Sequence, residues 1–293
     1  MIELIEKFKV NSGSKFSLKK FDTSFDANLK KEETESILSD LIKQTSELQA
    51  KLYASNSCAL LILFQGIDAS GKDSAIAHSL SGLNPQGCEV FSFKQPNNEE
   101  INHDFLWRHY KAFPQFGRIG VHNRSYYENV LITKVHPELL KNEYLPDLKN
   151  DNKTKKDFWE NRYKSIRNVE DHLTLNGTII IKFFLHLSKN EQKERFLKRI
   201  NEPEKNWKFS VDDINERQYW DAYMKAYEMA IKKTATKCCP WYIIPADKKW
   251  FTRFAISTVI FNVLISLNLD FPMLTSEEKT KLEEAKVSLF DKY

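Results

Sequence analysis

The run Cys58-Ala-Leu-Leu-Ile-Leu-Phe64, followed closely by Gly66-Ile-Asp-Ala-Ser-Gly71-Lys72-Asp73, constrains this chain more than any other feature. A continuous apolar run this short, bounded by glycine, predicts a strand buried on both faces, as in parallel sheets covered by helices. The residues after it keep the spacing G-x-x-x-x-G-K. In such a loop the glycines let the backbone curl, so that successive N–H groups converge on one phosphate. The helix that follows adds positive partial charge at its N-terminus, and the lysine reaches the outer phosphates. Glycine numbers only 8 in 293 residues, so the pairing of Gly66 with Gly71 is informative. Gly66, Ala69, Ser70, Gly71 and Lys72 are therefore the candidate phosphate binders.

The loop departs from the common pattern at its last position. Ser or Thr ordinarily holds Mg²⁺ there through a hydroxyl; this chain has Asp73, and Asp68 adds a second carboxylate inside the loop. Two acids beside bound phosphates repel them unless a cation lies between. That points to a metal-rich site with Asp68 and Asp73 as ligands. The plainer reading is that Asp73 complements the helix dipole and the glycines form an ordinary strand-to-helix turn.

Hydrophobic periodicity carries the alternation along the chain. Ile37, Leu38, Leu41, Ile42, Leu48 and Leu52 predict a helix over 31–54. The pattern then predicts a helix over 72–83, a turn at Asn84-Pro-Gln-Gly87, a strand over 88–93, a helix over 101–110, a strand over 118–122 and a helix over 124–134. A loop or short-helix region over 137–151 precedes a long amphipathic helix over 155–175, closed by Asn176-Gly177. Next come a strand over 178–185, a helix capped by Ser188 and running to Ile200, a polar break over 201–210 and a helix over 212–233. A strand over 241–244, a helix over 250–267 and a charged helical tail from Ser276 complete the chain. Five strands alternating with helices predict an α/β fold, a five-stranded parallel sheet flanked by helices on both faces. Residues 31–293 read as a single domain, with 1–30 as an irregular N-terminal arm.

In an open parallel sheet, ligands bind beyond the carboxyl ends of the strands. That rule brings Asn123 and Arg124, in Gly120-Val-His-Asn-Arg-Ser-Tyr-Tyr-Glu128, close to the phosphate loop. The usual phosphate-loop enzyme has Asp here to organise the metal shell; Asn123 is a neutral ligand. Arg124 can grip phosphate oxygens bidentately. The same residues also read as a helix start with Asn123 as N-cap. Lys94, Arg108, His109, Lys111, Arg118 and His122 form a basic stretch that suits a long polyanion, or else a solvated basic face. Arg195 and Arg199 share one helical face and lead into the break that holds Lys205 and Lys208. In mononucleotide kinases a basic helical lid in this place, here around 190–233, closes over the transferring phosphoryl group. Glu191–Arg195 and Glu194–Lys198 read equally as ordinary pairs on an exposed helix.

Composition excludes several classes. Lys and Arg exceed Asp and Glu by only 44 to 40, which fits a local basic site better than a nucleic-acid binder. Trp107, Tyr110, Tyr126 and Tyr127 interleave with bases as stacking platforms do, but they read more simply as core. No apolar run approaches membrane-spanning length, and the first twenty residues lack the apolar segment of a secretory signal. Cys58, Cys88, Cys238 and Cys239 form no C-x-x-C pair, so neither a disulfide framework nor a structural zinc site is expected. The expectation is a cytoplasmic protein with no membrane or nucleic-acid partner.

Several blocks in combination resemble the polyphosphate kinase 2 family. They are Phe64-Gln-Gly-Ile-Asp-Ala-Ser-Gly-Lys-Asp73, Asn84-Pro-Gln-Gly87, Ser92-Phe-Lys-Gln-Pro96, Leu106-Trp-Arg-His-Tyr110, Asn123-Arg-Ser-Tyr-Tyr-Glu128, Val135-His-Pro-Glu138, Lys182-Phe-Phe-Leu-His186, Asn206-Trp-Lys-Phe-Ser210 and Pro245-Ala-Asp-Lys-Lys-Trp-Phe-Thr-Arg253. The resemblance covers roughly residues 20–270. It implies a thymidylate-kinase-like phosphate-loop kinase fold with a helical lid. The implied activity is Mg²⁺-dependent phosphoryl transfer between inorganic polyphosphate and adenine or guanine nucleotides, with Mn²⁺ as an alternative ion. By resemblance, Lys72 holds phosphates, Asp68 and Asp73 serve the metal and catalysis, and Arg124, Arg195 and Arg199 grip the transferred group. Lys94, Arg108, Arg118, Lys205 and Lys208 would bind polyphosphate, and Glu128 would contact the base or the metal shell. Many members have Asp at the position of Asn123; the Asn form resembles the single-domain subgroup that accepts AMP as well as ADP. A homodimer or homotetramer is implied. An ATP-dependent nucleoside monophosphate kinase and a non-catalytic nucleotide or polyphosphate binder are the competing readings.

Overall fold

The computed structural model describes residues 2–143 and 156–290. The sheet contains strands β1 (Lys9–Val10), β2 (Ala59–Gln65), β3 (Cys88–Ser92), β4 (Ile119–Asn123), β5 (Thr178–His186) and β6 (Trp241–Pro245). Their spatial order is β1-β6-β5-β2-β4-β3. Every residue of β2 is buried, as a strand covered on both faces requires. Adjacent strands run parallel except β1 against β6.

The helices are α1 (Ile2–Glu6), α2 (Lys31–Ser55), α3 (Lys72–Ser79), α4 (Asn98–Ile101), α5 (Trp107–Tyr110), α6 (Glu128–Val135), α7 (Lys156–Leu175), α8 (Lys189–Asn201), α9 (Val211–Asn215), α10 (Trp220–Thr234), α11 (Lys249–Ser266) and α12 (Ser276–Phe290). Helix α11 packs with α1, α2 and α3, whereas α10 packs with α6 and α7. These two groups supply the layers that a parallel sheet needs. Most of α11 is buried, including Phe251, Phe254, Val259 and Leu264, which is why its sequence is apolar almost all round. The chain leaves β2 for β3, returns to β4, and then crosses to β5 on the other side of β2. This reversal opens a crevice at the carboxyl end of β2.

The sheet has six strands rather than five, because the N-terminal arm is not irregular. Lys9 pairs with Tyr242 and Val10 with Trp241, and Ile5, Phe8, Val10, Phe16 and Leu18 are buried. A two-residue strand is too short to carry a period. The helix predicted over 72–83 stops at Ser79, whose hydroxyl turns back on the Ala75 carbonyl at 2.7 Å. The helix predicted over 101–110 is two short ones. A capping box of Asn97 and Glu100 starts α4, and Asp104 Oδ1 accepts the Leu106 N–H at 2.9 Å between them. The helix predicted over 124–134 begins only at Glu128, because Arg124 is left-handed at φ +63°. Asn123 is therefore the last residue of β4 and caps no helix. The helix predicted over 212–233 breaks at Glu216–Tyr219, where Glu216 takes hydrogen bonds from His136 and Tyr223. The region predicted as loop or short helix over 137–151 is a 3₁₀ turn at Pro137–Asn142; from 144 on it lies outside the described residues, as does Lys155. No helix among the described residues is long and apolar enough to cross a membrane.

Candidate active site

The phosphate loop runs from the end of β2 into α3, and its shape depends on two glycines. A Cβ on Gly66 would stand 2.7 Å from Ser70 Oγ, so the loop closes on itself only without one. Gly71 sits at φ +98° as the N-cap of α3, a conformation that side chains resist. Ala69 is also left-handed, at φ +60°. The Lys72 ammonium is buried beneath the loop and donates to the carbonyls of Gly66 (2.7 Å) and Ile67 (3.2 Å). Burial, and next the Arg124 guanidinium, pull Lys72 below the ordinary lysine range, against the carboxylates of Asp68, Glu128 and Asp73.

Two polar pairs wall the loop. Arg124 Nη2 donates to Asp68 Oδ1 at 2.9 Å, and Asn123 Nδ2 donates to Asp73 Oδ1 at 2.7 Å. Arg124 reaches this place because its backbone N–H bonds the Phe64 carbonyl of β2 (3.0 Å) while its left-handed φ turns the chain. Burial opposes its charge, but Glu128 and Asp68 hold it above the usual arginine value. Burial pushes the Glu128 carboxyl up, against Arg124 and Lys72. The Gln65 amide is satisfied at both ends with its nitrogen toward Glu128 Oε1 (2.8 Å) and its oxygen toward the Ser125 hydroxyl (3.0 Å) and N–H (2.9 Å).

A cleft of about 600 Å³ opens in front of the loop. Nine basic side chains line it among the described residues: Lys72, Lys94, Arg124, Arg195, Lys198, Arg199, Lys205, Lys208 and Lys249. The carboxylates that line it are Asp68, Asp73 and Asp213. On the far side of the Asp68–Arg124 wall lies a smaller hollow of about 50 Å³, bordered by Glu128, Leu131, Ile132, Trp220, Tyr223 and Tyr227. No cluster of three His, Cys, Asp or Glu side chains forms a metal cage among the described residues. The carboxylates at hand are hard oxygen donors beside a phosphate cradle. That donor set fits Mg²⁺, which is commonly bound by one or two carboxylates plus substrate phosphates.

A strand-led phosphate loop and a strongly basic cleft are what phosphoryl-transfer enzymes build, and known proteins carry the same blocks. The model of the polyphosphate kinase 2 family matches residues 28–269. The chain belongs to the polyphosphate kinase 2 family. It is 50% identical over 285 residues to the ADP-polyphosphate phosphotransferase of Rhodopseudomonas palustris, covering 97% of this chain and 98% of that protein. It is 36% identical to the AMP/ADP-polyphosphate phosphotransferase of Meiothermus ruber, covering 95% and 100%. The crystal structure of polyphosphate kinase 2 from Arthrobacter aurescens TC1 superimposes with a TM-score of 0.85 at 36% identity, covering 95% of this chain and 96% of that one. The fold is that of a phosphate-loop kinase.

The structure gathers most of the expected site residues of this family member. Gly66, Asp68, Ala69, Ser70, Gly71, Lys72, Asp73, Asn123, Arg124 and Glu128 meet at the loop. Lys94, Arg199, Lys205 and Lys208 line the cleft. Arg118 does not. It precedes β4 at the amino edge, where Ile119 pairs with Leu60, whereas Asn123 pairs with Phe64 beside the loop. Five residues of strand put Arg118 about 16 Å away. Its guanidinium meets the Gln86 carbonyl and the Tyr53 ring instead. Arg108 supports the cleft from behind: it pairs with Glu100 (3.1 Å), donates to the Lys94 carbonyl (2.9 Å) and covers the Phe93 ring. Arg195 touches the cleft, but its guanidinium is committed to the carbonyls of Ala69 (3.0 Å), Ser70 (2.9 Å) and Ala246, and to Glu191 (2.8 Å). Arg199 pairs with Asp213 at 3.0 Å. Sequence reasoning missed Lys198 and Lys249. Lys198 lies one turn beyond Arg195 on α8, and Lys249 follows β6 at the carboxyl edge, so the rule that found Lys94 also finds Lys249.

Proposed function

We propose that this chain transfers phosphoryl groups between inorganic polyphosphate and nucleotides, making ATP from ADP, with a divalent cation and with residues 190–233 as its lid. The observation that carries this reading is the cleft: nine bases around one phosphate loop exceed what a single nucleotide requires, and they suit a long polyanion. The donor chain lies along Lys94, Lys198, Lys205, Lys208 and Lys249 with its terminal group at Lys72. The acceptor lies on the Glu128 side of the Asp68–Arg124 wall, against Trp220 and Tyr223. A phosphate oxygen of ADP is already ionised, so no strong general base is needed. Catalysis is then positioning and charge neutralisation. Lys72 and Arg124 hold the transferred group, and Arg195 acts by fixing the loop carbonyls. Asp68 and Asp73 would hold Mg²⁺ or Mn²⁺, which when bound would neutralise phosphate charge.

AMP as a second acceptor rests on Asn123, which neutralises no cation but orients Asp73. A luciferase assay with Mg²⁺, long-chain polyphosphate and either ADP or AMP tests both statements. ATP from ADP is expected, with loss of signal on chelation of the metal. ATP from AMP supports the wider acceptor range. Phosphorylation of AMP by ATP, without any use of polyphosphate, would replace this reading with that of a nucleoside monophosphate kinase.

A further inference from the structure

Glu170 of α7 and Lys182 of β5 form an ion pair in the core, 1% and 0% exposed, with Lys182 Nζ 2.6 Å from Glu170 Oε2. Neither residue borders the cleft. An ion pair this deep adds little stability over an apolar pair of the same shape, because both charges lose their water. Its partners supply a reason for its presence. Tyr126 and Tyr127 are consecutive, yet both hydroxyls donate to one atom, Glu170 Oε1, at 3.0 and 2.7 Å. Lys182 also donates to the Tyr127 hydroxyl (3.2 Å) and to the carbonyl of Thr234 (2.9 Å), the last residue of α10. Burial and the Glu170 charge push both phenols well above the usual tyrosine value, so both remain donors.

These tyrosines occupy the turn between Arg124 and Glu128. Arg124 is left-handed, a conformation that a residue other than glycine keeps only where its surroundings hold it. Gln65 holds the turn at Ser125 and Glu128 from the β2 side; the tyrosine hydroxyls hold it from the α7 side. We infer that the Glu170–Lys182 pair is a positioning device that clamps both tyrosine hydroxyls and so presents the Arg124 guanidinium to the transferred phosphoryl group in one orientation. Glu170, Lys182, Tyr126 and Tyr127 are positioning residues and touch no substrate. The inference rests on the proposed role of Arg124.

The test is the full-length double variant Tyr126→Phe/Tyr127→Phe. It keeps the ion pair and the ring packing of Tyr126 on His109 and of Tyr127 on Trp241. The expected result is a fall in kcat for ADP phosphorylation of about 10- to 100-fold, with KM for polyphosphate unchanged within about twofold. Glu170→Gln, which keeps an acceptor oxygen, should retain more kcat than Glu170→Leu. Val259→Ala, buried on α11 away from this turn, serves as a variant with lowered Tm and should keep wild-type kcat while folded. If the double variant does not fold, Tyr127→Phe alone is read by the same criteria. A kcat within twofold of wild type in the folded tyrosine variant overturns the inference. So does a fall in kcat that Val259→Ala reproduces at equal Tm. Inactivity of the wild-type protein would instead overturn the functional reading.

Discussion

The phosphate loop and the turn Pro203–Lys208 line one cleft but are held in opposite ways. The carbonyls of the loop are occupied by the loop's own lysine and by two side chains of α8. Gly66 and Ile67 accept from Lys72, Asp68 from Gln192, and Ala69 and Ser70 from Arg195. The turn Pro203–Lys208 has no buried residue. Its bonds are local: Lys205 pairs with Glu202, Asn206 donates to the carbonyls of Arg199 and Ile200, and Trp207 stands 78% exposed. The loop is thus a preformed floor, while the turn is a roof that offers charge on a few easily broken contacts. The difference separates two tasks. Preorganised donors lower the barrier of the chemical step, whereas exposed charges attract and retain a polyanion in a salt-dependent way.

This contrast orders the expected effects of substitution. Lys72→Ala should have the largest, a loss of about 10²- to 10³-fold in kcat with the fold retained by circular dichroism. Normal turnover in a folded variant would refute the assignment of the loop. Arg195→Ala attacks the same floor from outside. With several charge-assisted hydrogen bonds lost, thermal unfolding should show destabilisation of about 1.5–3 kcal/mol, and kcat should fall more than KM rises. An effect on KM alone would place Arg195 with Lys205 and Lys208 instead. Lys205→Ala/Lys208→Ala should raise KM for polyphosphate about three- to tenfold with kcat nearly unchanged, and should flatten the dependence of KM on salt. A drop in kcat as large as that of Arg195→Ala would erase the distinction between floor and roof. Arg118→Ala, at the opposite edge of the sheet, should leave both constants within about twofold, since exposed charges beyond a Debye length are screened.

Much of the candidate site is legible in the sequence because its chemistry is local along the chain. The phosphate loop needs one strand, a few residues and one helix, all contiguous, and the rule of carboxyl strand ends then placed Asn123, Arg124 and Lys94 correctly. The same rule excludes Arg118, which precedes its strand instead of following it; charge alone suggests it, and chain direction removes it. Arg195 was legible as a basic residue on the correct helix. That its guanidinium reaches back to the loop carbonyls and to Ala246 was not, because those partners are separated from it by 51 residues or more. The left-handed φ of Arg124 leaves no mark in composition, so the sequence pattern extends the helix four residues ahead of its true start at Glu128.

The sequence by itself determined the parallel α/β architecture, the phosphate loop and the family, because apolar runs, glycine placement and motif spacing act over distances of a few residues. Tertiary structure alone decided the antiparallel edge strand of the N-terminal arm, the division of the arginines between cleft and scaffold, and the convergence of two tyrosines on Glu170. Each of these depends on which distant groups a side chain meets once it has lost its water, and a buried polar group takes whatever partner the fold brings within hydrogen-bond reach.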